Sequence, residues 1–300
     1  MTLYTQVAAN RTKTWVYLSF YVALILAIGY VVSLYYGSYD ILLLAGVISV
    51  IQGFVSLYFS DQIALATSGA EPLERTQAPE LYRIVENLTM TAGLPMPRLF
   101  IISGQAINAF ATGRDAQHAA IAVTEGALRK LNSNELQGVL AHELSHIGNE
   151  DIRLSSMVMV MAGLIALVSD IFMRSLWWGG GRRRDNDNNG GGSVLLIIAI
   201  AFSVLAPIAA TLIQLAISRK REFMADSSGV LLTRYPDGLI NALRKIEKDD
   251  EPVEEANRAT AHLYFSNPLS GASLANLFST HPPIEERIEA LEKGSGSKPS

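Results

Sequence analysis

The sequence predicts an α+β protein, a multi-pass α-helical membrane protein carrying a mainly helical soluble domain with a small β-sheet. Three observations predict it. The 300-residue chain is 49% hydrophobic, and its apolar residues collect in four long runs instead of spreading evenly. Residues 60–152, between the second and third runs, show the mixed periodicities of soluble protein. Cysteine is absent, which excludes a disulfide framework and thiolate chemistry and leaves His and carboxylates as the strong metal ligands.

Residues 1–13 form a short polar arm with Arg11 and Lys13, and the first run, Trp15 to Tyr36, carries no charge. It is too long for the apolar core of a signal peptide, and the next run follows after only Gly37-Ser38-Tyr39-Asp40. The second run, Ile41 to Phe59, is also uncharged. A span needs about 20 predominantly apolar residues, so the expected spans are 15–36 and 41–59. The linking loop has no Lys or Arg, so the arm is expected in the cytoplasm and the loop outside.

Pro79 to Ala92 reads as an amphipathic helix, with Leu81, Ile84, Val85 and Leu88 on one face and Gly93 at its end. Arg98–Ser103, Ile107–Thr112 and Ala119–Val123 read as short strands. Asn132 and Glu135 have the spacing of a capping box and open the next helix. The third run, Ser155 to Met173, is broken only by Asp170, and the fourth, Val194 to Ile217, contains Pro207. The stretch between them, residues 177–192, is rich in Gly, Arg, Asn and Asp and reads as a flexible loop. The expected organisation is therefore a membrane hairpin over 1–60, a soluble half over 61–152, a second membrane pair over 153–217 with spans 155–173 and 194–217, a second soluble half over 218–292, and a disordered tail over 293–300. Arg182, Arg183 and Arg184 fall in a loop expected outside, against the positive-inside tendency; a re-entrant third and fourth pair would keep the same parity.

The chemistry concentrates in the helix opened by Asn132, which carries the pattern H-E-x-x-H as His142, Glu143 and His146. Residues four apart share a helix face, so both imidazoles can reach one ion, with Glu143 beside them to act on a water. Imidazole ligands with an open water position suit zinc, and a third ligand is needed. Two solvated surface histidines would show the same spacing. Beyond the fourth run lies SRKREFMADSSGVLL, with Glu222 and Asp226 again four apart.

HELSH, EFMAD and a late STHPP segment together resemble the HtpX-type membrane zinc metalloproteases, gluzincins related to the CAAX prenyl endopeptidase, and the likeness covers essentially the whole chain. It implies a gluzincin-like protease domain with one Zn2+ and Glu222 as the third ligand. Asp226 would then accept a hydrogen bond from a ligand histidine, His142. Asn108, Ala109 and Phe110 resemble the edge strand that gluzincins place beside the metal, where an extended peptide can add by main-chain hydrogen bonds. Glu143 is expected as general base. His281 and Arg287 are the candidates for a donor to the developing oxyanion.

The expected activity is a membrane-anchored, zinc-dependent endopeptidase in the bacterial or archaeal cell membrane, its active site facing the cytoplasm. Its partners would be polypeptides, misfolded or damaged membrane proteins among them, and the lipid bilayer. The formal net charge of −4 and the lack of a basic patch argue against nucleic acid, and the oligomeric state is open. Two rivals stand beside this reading. An intramembrane-cleaving metalloprotease would hold its H-E-x-x-H inside an apolar span, whereas this helix carries Asn134, Glu135, Gln137, Asn149 and Glu150. A non-enzymatic membrane metal-binding protein would have no need of Glu143 beside the ligands.

Overall fold

The structure is a computed structural model of the chain; residues 3–179, 219–253, 256, 260–266 and 282–295 are described. Helix α1 (Leu3–Tyr36) and helix α2 (Asp40–Tyr58) form the N-terminal hairpin, and Val7–Leu34 and Asp40–Tyr58 are long and apolar enough to cross a membrane. The burial on α2 is inverted relative to a soluble helix. Its buried residues are Ser49, Gln52, Gly53 and Ser56, while Leu43, Val50, Ile51 and Phe54 are exposed. Gln52 donates to the Tyr21 hydroxyl across the pair. Small and polar residues inside with apolar residues outside is the packing expected of helices in lipid, where burial of apolar surface no longer drives association.

The arm does not end where the sequence suggests. α1 starts at Leu3, so the expected polar arm is the first three turns of the same helix. No Gly or Pro falls within the arm itself, and Asn10 and Thr14, one turn apart, are buried, Asn10 against Asn149 and Asp151. That tertiary contact holds a helix that hydropathy alone leaves uncommitted.

Helix α3 (Ser60–Thr67) leads into the soluble domain, whose sheet contains β1 (Glu71–Pro72), β2 (Arg98–Ile102), β3 (Ala109–Thr112) and β4 (Ala120–Thr124). The strand order is β1-β2-β4-β3, with β2 and β4 parallel and β3 antiparallel to β4 in the register Ala109↔Val123 and Ala111↔Ile121. β3 is thus an edge strand. Helix α4 (Pro79–Ala92) has Pro at its start and ends on Gly93 at φ 66°, the left-handed position that glycine adopts without steric cost. It buries Leu81, Ile84, Val85 and Leu88, the expected face, against Leu99 and Ile121 of the sheet and Leu140 and Leu144 beyond.

Helices α5 (Glu125–Lys130) and α6 (Ser133–Gly148) follow, and then α7 (Asp151–Gly179), which covers the expected third span. The lower part of α7 packs on the hairpin through Leu154, Met157, Val158 and Met161, against Leu18 and Tyr21. α7 continues to Gly179, so the first residues of the expected loop are helical; the rest of that loop and the expected fourth span lie outside the described residues. Helices α8 (Arg219–Thr233), α9 (Pro236–Glu247) and α10 (Ile284–Ser295) complete the domain, with α8 and α9 packed along α6.

Candidate metal centre

Helix α6 is set by its cap. Asn132 Oδ1 accepts from the backbone N–H groups of Asn134 and Glu135 at 3.0 Å each, and Glu135 returns the contact by accepting from Asn132 N at 2.8 Å. Such a cap contributes about 1 kcal/mol and fixes where the helix begins, hence which face carries the histidines. α8 approaches α6 closely at Gly229, where an added Cβ would lie 3.0 Å from His142 N. That approach lets the inner face of α8 present Glu222 and Asp226 to the α6 histidines.

His142 Nε2 and His146 Nε2 lie 3.1 Å apart, and the Glu222 carboxylate lies 3.7 Å from the first and 3.8 Å from the second. Ligands on a tetrahedral zinc at about 2.1 Å stand roughly 3.4 Å from one another, so the three donors surround a point of suitable size. The outer ring nitrogens are both engaged. His142 Nδ1 is 2.8 Å from Asp226, and His146 Nδ1 is 3.2 Å from Asp151. These contacts direct each Nδ1–H outward and turn each Nε2 toward the shared point. Two imidazole nitrogens and a carboxylate converging in a buried site could hold a cation.

The protonation of the metal-free site follows the same logic. Burial lowers His142 to about 4 against the pull of Asp226. Burial alone would lower His146 too, but Asp151, Glu222 and Glu143 outweigh it and raise it to about 9. The raised value favours a protonated His146, whose Nε2 lies 3.1 Å from His142 Nε2. Burial raises Glu143 to about 7, with Glu222 adding to the rise and His146 opposing it. For Asp226 burial works upward, but Arg287 and His142 prevail and hold it at about 2.

A cavity of about 30 Å³ adjoins the trio, lined among others by Ala111, Glu143, His262 and Phe265. It has room for an ion and a water. Glu143, 2% exposed, points into it and accepts a hydrogen bond from the Ala111 N–H of β3. The expected edge strand is therefore beside the site, with a shift in the residues that matter. Ala111 is the strand residue on the cavity wall. Phe110 alternates to the other face, fully buried and edge-on to Tyr264, because side chains along a strand point alternately up and down. Asn108 and Ala109 are occupied by the chain itself. Phe265 N donates to Ala109 O at 2.8 Å, and the Asn108 side chain clasps the Ser266 backbone, donating to its O at 3.1 Å and accepting from its N at 3.3 Å.

Arg287 also differs from expectation. Its guanidinium is 1% exposed and lies behind His142, away from the cavity. It binds both Asp226 oxygens, at 2.9 and 2.7 Å, and donates to Phe265 O at 3.1 Å. A guanidinium committed on three sides holds Asp226 in place, and it is not part of the cavity wall where an oxyanion would form. His281 lies outside the described residues. Two residues that sequence reading did not assign stand at the centre. Asp151 supports His146, and the only hint was a carboxylate five positions beyond it. His262 lines the cavity, with Nε2 3.2 Å from Ser155 O, and nothing in its local sequence distinguishes it from a structural histidine.

The chain is similar to known proteins over most of its length. Residues 75–295 match the profile described as Peptidase family M48. The chain is 46% identical over 284 residues to a Protease HtpX homolog of Syntrophobacter fumaroxidans, covering 94% of this chain and 98% of the relative. It is 44% identical over 297 residues to a Protease HtpX homolog of Streptococcus pneumoniae, covering 97% and 99%. Among solved structures it is similar to the crystal structure of S. mikatae Ste24p, with a TM-score of 0.48 and 19% identity, over 96% of this chain and 66% of that one.

Proposed function

The chain belongs to peptidase family M48 and is a membrane-associated metalloprotease, and we propose that it is a zinc endopeptidase of the H-E-x-x-H plus Glu type, holding one ion between His142, His146 and Glu222. The observation that carries this reading is the convergence of those three donors, all within 4.8 Å of one another, beside a buried Glu143. When bound, the ion would polarise the scissile carbonyl and acidify a water.

The protein's own residues do the rest. Ala111 N–H holds the Glu143 carboxylate facing the cavity. Glu143 takes the proton of the attacking water and hands it to the leaving amine, and burial, which raises its pKa in the metal-free site, makes the carboxylate the more ready to take it. Asp226 and Asp151 fix the ring orientation of His142 and His146 through their Nδ1 atoms. The substrate is an extended polypeptide segment aligned along β3 at Ala111.

We assign the protein to the cell membrane as a multi-pass protein with its site facing the cytoplasm, in the expected division of a hairpin, two soluble halves and a second membrane pair. Arg11 and Lys13 at the foot of α1, with no basic residue in the loop after it, support that orientation. Asn10 at the same foot touches Asp151, which puts the cavity next to the anchor. A site so close to the bilayer favours substrates that are themselves membrane proteins, and quality control of misfolded ones is the role we propose.

The test is chelation and restoration. Purified protein in detergent should cleave an unfolded membrane protein, lose that activity in chelator and regain it with zinc. Glu222→Gln should lose both bound zinc and activity. Full cleavage in the metal-free protein would end the reading. Metal uptake carries its own signature. His146 sits near about 9 before uptake and must release its proton to bind. Titrating zinc into weakly buffered metal-free protein near pH 8, where Glu143 is already largely ionised, should therefore free about one proton per chain, and the release should fade as pH passes about 9.

A further inference from the structure

The elbow between α6 and α7, residues Asn149 to Asp151, presents Asp151 to the ligand His146. It does so through an unusual backbone. Glu150 has φ 55°, the left-handed region that a side chain other than glycine adopts only when its surroundings hold it. The surroundings here are the foot of the anchor helix. Arg11 forks onto Glu150, with Nε and Nη2 at 2.7 and 2.5 Å from the two carboxylate oxygens. Asn10 Nδ2 donates to Asn149 O at 3.0 Å and to Asp151 Oδ1 at 2.6 Å. Asn10 is 5% exposed and Asp151 4%. The other Asp151 oxygen faces His146 Nδ1, and Arg221 of α8 lies 3.6 Å from Oδ1.

We infer that Asn10 is a positioning residue for the metal centre, holding Asp151 at the angle that orients His146, so that the membrane anchor is a structural part of the active site. The inference rests on the site reading above. Its physical basis is that a carboxylate supporting a ligand histidine has two oxygens, and the ring is oriented only if the second is also fixed. Without the Asn10 amide, Asp151 can rotate about its side-chain bonds toward Arg221, and the Nδ1 contact loosens. The two grips of α1 on the elbow are separable. Arg11 pairs with the Glu150 side chain from an exposed position, and Asn10 holds the Asp151 carboxylate from a buried one.

The experiment measures the zinc dissociation constant of the full-length protein in detergent by chelator competition. Asn10→Ala should weaken binding roughly tenfold, the low end of what outer partners of ligand histidines carry. Alanine is the better helix former, so α1 survives the change; if the variant nonetheless melts, Asn10→Ser carries the same comparison. Arg11→Ala, which loosens the tether without touching Asp151, should stay within about twofold of wild type. In an Asp151→Asn background, Asn10→Ala should cost no further affinity, a non-additivity that a general packing role would not produce. Equal affinity of Asn10→Ala and wild type, equal losses in the Asn10 and Arg11 variants, or additive losses with Asp151→Asn would each overturn the inference. Wild-type protein that binds no zinc, or His146→Ala that binds it as well as wild type, would instead overturn the site reading on which this one stands.

Discussion

Replacing Glu143 by glutamine should lower peptide hydrolysis by about 10²–10⁴-fold while leaving the bound metal in place. The two side chains are nearly the same shape, and the Ala111 N–H that now meets the carboxylate can meet the amide oxygen equally well. The metal donors His142, His146 and Glu222 are not altered. What is lost is a group that can accept a proton and return it. Burial raises the Glu143 carboxylate to about 7 in the metal-free site, and a carboxylate can both take a proton and return it; an amide can do neither. Zinc content measured alongside the rate separates this from loss of a ligand. A variant with full metal and undiminished turnover would remove Glu143 from the mechanism.

Arg287→Leu should be the most destabilising of the substitutions considered, by about 3–5 kcal/mol. Asp226 is 1% exposed, and its charge is balanced by Arg287 through two hydrogen bonds of 2.9 and 2.7 Å. Removing the cation leaves a buried carboxylate with only the His142 Nδ1 contact against its charge and also frees Phe265 O, which Arg287 now satisfies. Breaking a buried pair from one side costs more than the pair is worth, because the partner's desolvation remains. Three comparisons make the cause visible in thermal melts. Arg287→Lys keeps the charge but cannot fork onto both Asp226 oxygens and still reach Phe265 O, so it should fall between wild type and Arg287→Leu. Arg287→Leu combined with Asp226→Asn should recover part of the loss, since the stranded charge is then gone. Equal melting of Arg287→Leu and wild type would show that Asp226 finds its stability elsewhere.

These two residues illustrate what can be read from the chain and what cannot. Glu143 is legible because its role depends on a local relation: an α-helix places residues four apart on one face, and the glutamate lies between two such histidines. The same short-range rules make the apolar runs, the Asn132–Glu135 cap, the Pro79–Ala92 helix and the three strands visible in the linear chain. Arg287 is different. Its position in the sequence is equally clear, but whether its guanidinium faces the cavity or the back of His142 depends on how α10 lies against α8. Phe110 similarly sits in the expected strand, yet the strand's pleat turns it into the core and puts Ala111 on the cavity.

The sequence by itself determined the main helices and three of the strands, the apolar N-terminal hairpin and the identity of the helix bearing the H-E-x-x-H histidines, because each follows from periodicity or spacing within one segment. Tertiary structure alone decided which carboxylate backs His146, that a helix foot read as a short polar arm contacts the elbow beside it, and that residues 265 and 266 lie along the strand edge at Asn108 and Ala109. The reason is range. A side chain's helical phase is written in its neighbours a few positions away, but its partner across the fold is chosen by how closely two helices pack, as α8 does against α6 at Gly229, and no local pattern encodes that distance.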